Sequence, residues 1–172
     1  MDDQPSIRVC LDTSVIAAYV IPSIAHHAAC VQFCDELTRR STQVYCSDIL
    51  RIEFSDFWFR LPRTSHLNQS IIRQFRLGAW DRNALVRIQW MEEGVRQFEW
   101  FLDKFESVTE VPSAEPIWRA SIGLMARYRL RSHDAIHVAT ALAAGVPDFA
   151  SVDSDFRRVP TLRLHLLRDT DA

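Results

Sequence analysis

Residues 7–21 read IRVCLDTSVIAAYVI, and this stretch predicts how the chain starts to fold. Residues 7–11 form a short, mostly apolar run, which is typical of a buried strand. Asp12 follows at once, and residues 13–21 then have the composition of a buried helix that Pro22 ends. A strand that leads directly into a helix is the first half of a parallel β-α-β unit. The stretch therefore predicts an α/β protein with a carboxylate, Asp12, just after its first strand.

The rest of the chain repeats this alternation of strands and helices. The longest periodic pattern lies between about residues 83 and 105, where apolar residues recur at helical spacing and predict one helix. Its predicted buried seam comprises Ala84, Ile88, Met91, Val95, Phe98, Leu102 and Phe105. Other predicted helices cover about residues 23–40, 47–61, 71–77, 113–129 and 132–144, and other predicted strands cover 43–46, 108–111, 148–152 and 162–166.

These elements predict a single domain over residues 1–172 with a three-layer α/β/α architecture. Strands that alternate with helices favour a short, mainly parallel central sheet with helices on both faces. Residues 62–106 are expected to add an extended helical segment, inserted in the middle of that domain.

The composition is that of an ordinary globular chain, 48% hydrophobic and 24% charged. A net charge of −2 creates no overall positive field that would by itself predict nucleic-acid binding. The four cysteines form no C-x-x-C pair, so they are expected to be reduced thiols. The N-terminal MDDQPS lacks the features of a signal peptide, and the apolar run VIAAYVIP is too short to span a membrane. We therefore expect a cytoplasmic protein.

Four acidic residues are predicted to meet at one end of the sheet. Asp12 and Asp153 directly follow predicted strands, Asp134 lies in the first turn of a helix, and Glu53 lies on an inward-facing side of another. In open α/β sheets, ligands bind beyond the carboxyl ends of the strands. Each acid also has a purely structural interpretation. Asp12 could cap a helix, Asp134 could complement a helix dipole and Asp153 could form a turn. Glu53 could face solvent if its helix is turned differently.

Four carboxylates at one site need compensation. Two unit charges about 5 Å apart at an effective dielectric constant of about 20 repel each other by roughly 3 kcal/mol. Protonation relieves this repulsion, and so does a bound cation. Carboxylate oxygens select hard ions such as Mg²⁺ or Mn²⁺, whose remaining ligands are water and substrate phosphate. The pattern therefore predicts a metal site suited to phosphodiester hydrolysis.

These motifs resemble those of the PIN-domain ribonucleases, and most of all the VapC-like toxins of bacterial toxin–antitoxin pairs. The family has a strand followed by D-x-S, a serine before a helix with a glutamate six residues later, D-A-x-H-x-A-T-A, and T/S-x-D-x-x-F. The corresponding residues are Asp12 and Ser14, Ser47 and Glu53, Asp134 to Ala141, and Ser151, Asp153 and Phe156. The order and spacing of all four motifs extend over residues 7–156, while residues 62–105 align with nothing in the compact core of the family.

The resemblance implies a metal-dependent endoribonuclease whose acids hold one or two Mg²⁺ or Mn²⁺ ions. Asp12, Glu53 and Asp134 would form the core of the metal site. Asp153 would support it or hold a second ion, and Asp155 is a less well-spaced alternative for the fourth acid. Ser14 would hydrogen-bond the acids or the metal-bound water.

Two histidines lie beside the third acid. His137 is typical of the family motif, but on an apolar helix we expect it to pack in the core. His133 is expected to be exposed. Ser47 and Ser132 are expected to cap the helices that follow them.

The long helix also carries residues suited to RNA. Single-stranded RNA binds to cationic grooves with stacking aromatics, and Arg82, Arg87, Trp90, Arg96 and Trp100 interleave these types off the predicted seam. The alternative is a wide apolar helix that packs against both the core and another chain. The resemblance implies a homodimer and an antitoxin that masks the acids, for which Trp58, Phe59, Trp90 and Trp100 are candidate contacts.

Other functions remain open from the sequence. A haloacid-dehalogenase-type phosphatase also begins with a strand-end aspartate, but it uses D-x-D and a later lysine, whereas here the second position is Ser14 and the only lysine is Lys104. A housekeeping RNA-processing nuclease, a nuclease for structured DNA and a non-catalytic module with a degenerate acid pocket are further alternatives.

Overall fold

Five parallel strands form the centre of the protein in a computed structural model that describes residues 7–61 and 83–169. In sheet order they are β3, β2, β1, β4 and β5, so the first strand lies in the middle. The strands are β1 (Arg8–Leu11), β2 (Gln43–Ser47), β3 (Val108–Val111), β4 (Asp148–Ser151) and β5 (Arg163–Leu166). The predicted parallel sheet is therefore confirmed, and each described strand begins or ends within one residue of its predicted bounds.

Six α-helices of the described residues cover both faces of this sheet. They are α1 (Thr13–Val20), α2 (His27–Arg39), α3 (Ile49–Arg60), α4 (Ala84–Leu102), α5 (Glu115–Tyr128) and α6 (Ser132–Ala143), and a 3₁₀ helix spans Ser154–Arg158. Successive side chains of a strand point to opposite faces. Val9 and Leu11 accordingly pack with α1 to α4, whereas Cys10 packs with α5 and α6. This gives the predicted three layers.

The strand order explains why distant acids meet. Because all strands are parallel, the carboxyl ends of β1, β2 and β4 lie at one edge of the sheet. The backbone N–H of Asp12 donates to the carbonyl of Ala150 at 3.0 Å, which fixes the turn after β1 against the end of β4. Helix α1 begins directly after Asp12, and α3 begins two residues after β2 ends. The same edge therefore collects side chains from both ends of the sequence.

Helix α4 packs through a different stripe from the predicted one. Its buried residues are Trp90, Gly94, Phe98 and Phe101, whereas Ile88 and Val95 of the predicted seam are about half exposed, at 52% and 47%. Only Phe98 is common to both sets within the helix. The prediction of a helix here was right, and the prediction of its inward face was right only in part. Phe98 is buried and Met91 and Leu102 pack against the core, but Ala84, Ile88 and Val95 are exposed.

The indole rings of Trp58 and Trp90 account for this orientation. The two rings stack with centroids 5.0 Å apart, and each indole N–H donates to the backbone carbonyl of the other residue, at 2.9 and 2.8 Å. Both tryptophans are buried in the core, so their predicted role as contacts for RNA or an antitoxin is wrong. Trp100 is 51% exposed. Arg82 and the predicted helix at residues 71–77 lie outside the described residues.

All four cysteines are buried and carry free thiols. Burial raises the pKa of each thiol well above its usual value, which leaves the reactive thiolate form scarce. Within the described residues, none of the helices combines the length and the apolar character that a membrane span requires.

Candidate active site

Asp12 is held in place by hydroxyl groups from two segments. The hydroxyl of Ser14 and that of Ser151 both donate to Oδ2 of Asp12, the second at 2.8 Å. The backbone N–H of Ser14 also approaches Oδ2 at 3.4 Å, so Asp12 caps α1 as well. These contacts use Oδ2 and leave Oδ1 directed toward the cluster, 3.9 Å from Nε2 of His137. The carboxylate is almost fully buried, at 5% exposure.

Glu53 reaches the same place from α3. Its Oε2 accepts hydrogen bonds from the hydroxyl of Thr13 and from Nε2 of His137, the latter at 2.6 Å. Burial alone would raise the pKa of Glu53, but the hydrogen bond and charge of His137, the Thr13 hydroxyl and the nearby His133 lower it below its ordinary value. Glu53 is therefore ionised at neutral pH. Its Oε1 lies 3.4 Å from Nδ1 of His133.

His137 is a fully buried group at the centre of these contacts. Its Nδ1 lies 2.7 Å from the hydroxyl of Ser47, which is the last residue of β2. Burial opposes a charge on the imidazole, yet the hydrogen bond to Glu53 and the charges of Asp12, Glu53 and Asp134 raise the pKa of His137 above its ordinary value. Since the carboxylate of Glu53 can only accept, Nε2 of His137 carries the proton of their hydrogen bond.

Asp134 experiences the combined charge of the other acids. Burial raises its pKa, and the negative charges of Asp12, Glu53 and Asp153 raise it further, to about 6. The nearby His137 acts in the opposite direction but does not cancel them. The four acids predicted from the sequence are thus close enough to interact electrostatically at one edge of the sheet.

Asp153 and Asp155 differ in their surroundings. Asp153 follows β4, and its Oδ1 accepts from the backbone N–H of Asp155 at 2.8 Å, so it caps the 3₁₀ helix while its charge acts on Asp134. The carboxylate of Asp155 pairs with Arg158 at 2.8 Å. Of these two candidates for the fourth acid, only Asp153 acts on the cluster in this way.

The donor set fits a hard divalent cation. One ligand atom from each of Asp12, Glu53 and His137 can be chosen so that all three lie within 4.8 Å of one another. His137, however, already uses Nε2 to donate to Glu53 and Nδ1 to contact Ser47, so it orients a ligand better than it serves as one. Asp134 is not a member of this group of three, although the charges of Asp12 and Glu53 act on its carboxyl group.

Three contributors to the site were missed or misassigned from the sequence. His137 is buried as expected, but it also bonds Glu53, and its position three residues after Asp134 on one helix face could have indicated this. Thr13 was overlooked between Asp12 and Ser14. Ser47 was expected to cap α3, but Asp48 occupies the N-cap position and Ser47 lies in β2 facing His137. Ser132 likewise opens α6 itself, after an N-cap at Arg131.

Comparison with known structures agrees with the fold. One chain of the crystal structure of VapBC2 from Rickettsia felis, bound to a DNA fragment from the promoter, superimposes with a TM-score of 0.59 over 92% of this chain and 98% of that chain. The two sequences are 12% identical, so this likeness concerns the fold alone. No curated protein sequence matches the chain.

The family predicted from the motifs is confirmed by sequence comparison. The family model of the PIN domain matches residues 9–162, which include all four acids, β1 from its second residue, and β2 to β4, while β5 lies just beyond the match. That match extends over most of the chain. The chain therefore belongs to the PIN domain family.

Proposed function

We propose that this protein is a metal-dependent endoribonuclease that hydrolyses phosphodiester bonds of RNA with Mg²⁺ or Mn²⁺. The single observation that carries the proposal is the convergence of Asp12 and Glu53, which each offer a ligand atom within 4.8 Å of the other and of a nitrogen of His137. The charges of both carboxylates also act on Asp134. Burial raises the pKa of Asp134, and the neighbouring carboxylates raise it further, to about 6, and a group of acids that repel one another in this way favours a divalent cation among them. Members of the PIN domain family are generally nucleases.

In this proposal, Oδ1 of Asp12, Oε1 of Glu53 and the carboxylate of Asp134 hold the cation. A divalent ion bound there would lower the pKa of a water molecule and neutralise charge on the phosphate. The protein's own contribution is orientation. Ser14 and Ser151 fix one oxygen of Asp12, and Thr13 and His137 fix one oxygen of Glu53, so both carboxylates are held in place at this edge of the sheet.

We further propose that the nuclease is the toxin of a toxin–antitoxin pair, acts in the cytoplasm and forms a homodimer. The structural likeness to a chain of a VapBC complex supports an antitoxin as partner. An antitoxin segment that covers the acids would block both the cation and the RNA. A housekeeping nuclease of the same family would lack such a partner, and coexpression with the product of a neighbouring small reading frame would distinguish the two.

Cleavage of RNA by the purified protein tests the proposal. We expect cleavage of a labelled single-stranded RNA with Mn²⁺ or Mg²⁺, none with a chelator, and the loss of at least two orders of magnitude in rate in Asp12→Asn and Asp134→Asn. Asp103→Asn, an acid at the end of α4, serves as the matched control and should cleave like the parent. Equal rates for the parent and both site variants would refute the assignment of the site.

A further inference from the structure

A cavity of about 530 Å³ opens directly beside the acids. Glu53 and Asp134 belong to its lining, so the cavity and the acid cluster share a wall. The rest of the lining comes from the second half of α3 and the start of α6. Ligand cavities commonly have volumes of about 300–1,000 Å³. This one is therefore large enough for a single nucleotide but not for a duplex.

Two arginines of the described residues line the cavity, and they differ in whether an ion pair already neutralises their charge. Arg60 is held by Asp56, with nitrogen–oxygen distances of 2.7 and 3.1 Å, so its charge is largely paired within α3. Arg131 is exposed and, across residues 7–61 and 83–169, takes part in no ion pair. A cation with no ion-pair partner among the described residues is available for an anionic ligand.

The chemistry of the lining is that of a site for one nucleotide. Phe57 lines the cavity and is only half-buried, packing with its inner side on the ring of Phe54 at a centroid distance of 6.2 Å. Flat aromatic faces bind unstacked bases, and guanidinium groups bind phosphates through paired N–H donors. An acidic peptide would use the arginine but would bring no base to the ring of Phe57.

We propose that this cavity binds the nucleotide next to the cleaved bond of single-stranded RNA, with Arg131 on its phosphate and Phe57 against its base. The inference rests on the proposed ribonuclease function and adds to it a substrate subsite outside the metal-binding acids. Arg131 precedes Asp134 by three residues, about one helical turn. A phosphate bound to Arg131 would therefore lie about one nucleotide along the RNA from the acids.

Binding of RNA without cleavage tests the subsite. The probe is a 5′-fluorescein-labelled single-stranded RNA of twelve nucleotides and mixed sequence, titrated with the whole protein in EDTA. We expect Arg131→Gln to raise the dissociation constant about tenfold and to reduce the salt slope by about one phosphate contact. Phe57→Leu should also weaken binding by roughly tenfold through lost stacking. Arg131→Lys should keep part of the affinity because it keeps the charge.

Arg8→Gln is the matched control, since Arg8 is an exposed arginine at the amino end of β1, opposite the acids. Circular dichroism checks that each variant is folded. In Mn²⁺, Arg131→Gln should raise KM more than it lowers kcat, as expected for lost substrate binding.

The outcomes separate the subsite from the function. If the parent cleaves RNA and Arg131→Gln binds and cleaves as the parent does, the subsite is refuted while the ribonuclease function stands. If Arg131→Gln keeps its affinity for RNA but loses affinity for a coexpressed antitoxin, the cavity is a site for the partner protein and the inference is wrong. If no metal supports cleavage by the parent, both proposals fail together.

Discussion

Asp134 is the residue on which the negative charges of the other three acids act. Its folded-state pKa of about 6 exceeds the ordinary value of 3.8, because burial and three neighbouring carboxylates favour the neutral acid. The folded protein therefore binds this proton more tightly than the unfolded chain does. The resulting stabilisation is complete below about pH 3.8 and is lost as the pH rises through about 6.

We expect Asp134→Asn to be more stable than the parent at pH 8 without metal, because the amide removes the negative charge. At pH 5, where the carboxyl of the parent is mostly protonated, this advantage should shrink. Urea denaturation in EDTA at both pH values measures the difference in the free energy of unfolding. A difference that does not change between pH 5 and pH 8 would mean that Asp134 ionises normally in the folded protein.

Two roles of His137 must be distinguished, the orientation of Glu53 and packing in the core. We expect His137→Ala to weaken Mn²⁺ binding by about 10- to 100-fold, since groups that orient metal ligands contribute on this scale. Calorimetric titration with Mn²⁺ provides the affinity. Val138→Ala, a truncation of the next residue on α6, is the control: it should destabilise the core without changing Mn²⁺ affinity. Equal losses of affinity in both variants would assign His137 a packing role only.

At the scale of elements, the strand ends were predictable and the orientation of α4 was not. Short apolar runs followed by acids predict where the strands of a parallel sheet end, because a carboxylate is costly to bury unless polar groups are there to pair with it. Helix α4 has apolar residues around much of its circumference, so periodicity alone cannot decide which stripe is buried. The deciding contact is the interlock of Trp58 with Trp90, which joins segments 32 residues apart and leaves no periodic signal.

Gly94 in α4 permits that interlock. A Cβ at this position would lie 2.5 Å from Cδ1 of Trp58, well inside van der Waals contact. A glycine within a helix ordinarily weakens it, whereas here the structure shows a requirement for close approach.

We expect Gly94→Ala to lower the free energy of unfolding by about 1–2 kcal/mol, as overpacking outweighs the better helix propensity of alanine. For a chain of this size, that corresponds to a fall in Tm of roughly 2–8 °C. Gly123→Ala on α5 is the control, because nothing lies within 4 Å of a Cβ there and helix propensity alone should act. Thermal unfolding followed by circular dichroism compares the two variants, and a stabilised Gly94→Ala would show that the tryptophan pair can shift freely.

For the whole molecule, the motifs predicted the family, the three layers and the edge where the acids meet. They did so because the position of an acid after a strand depends on local sequence, while the parallel order of strands brings such positions together. The hydrogen-bonded partners of the acids were less predictable. The hydroxyl of Thr13 contacts Glu53 and His137, and that of Ser47 contacts His137. These partners are 40 to 124 positions apart in the sequence, and local patterns do not record such pairs.

We expect Mn²⁺ to stabilise the whole fold, because an ion that binds only the folded site shifts the unfolding equilibrium. At an ion concentration about 100 times the dissociation constant, the gain is about 2.7 kcal/mol. This corresponds to a rise in Tm of roughly 5–10 °C. EDTA should reverse the rise, Asp12→Asn should abolish most of it, and Asp103→Asn should retain it. A rise of equal size in Asp12→Asn would place the ion elsewhere.

The contact between Asp12 and Ser151 has a consequence for biosynthesis. These residues are 139 positions apart, yet the hydroxyl of one fixes the carboxylate of the other. At ribosomal speeds of about 5–20 residues per second, the interval between their synthesis is on the order of ten seconds. During that interval the nascent chain contains Asp12 but not Ser151, whose hydroxyl fixes the carboxylate of Asp12. The complete group of four acids therefore forms only after Asp153 has been synthesised.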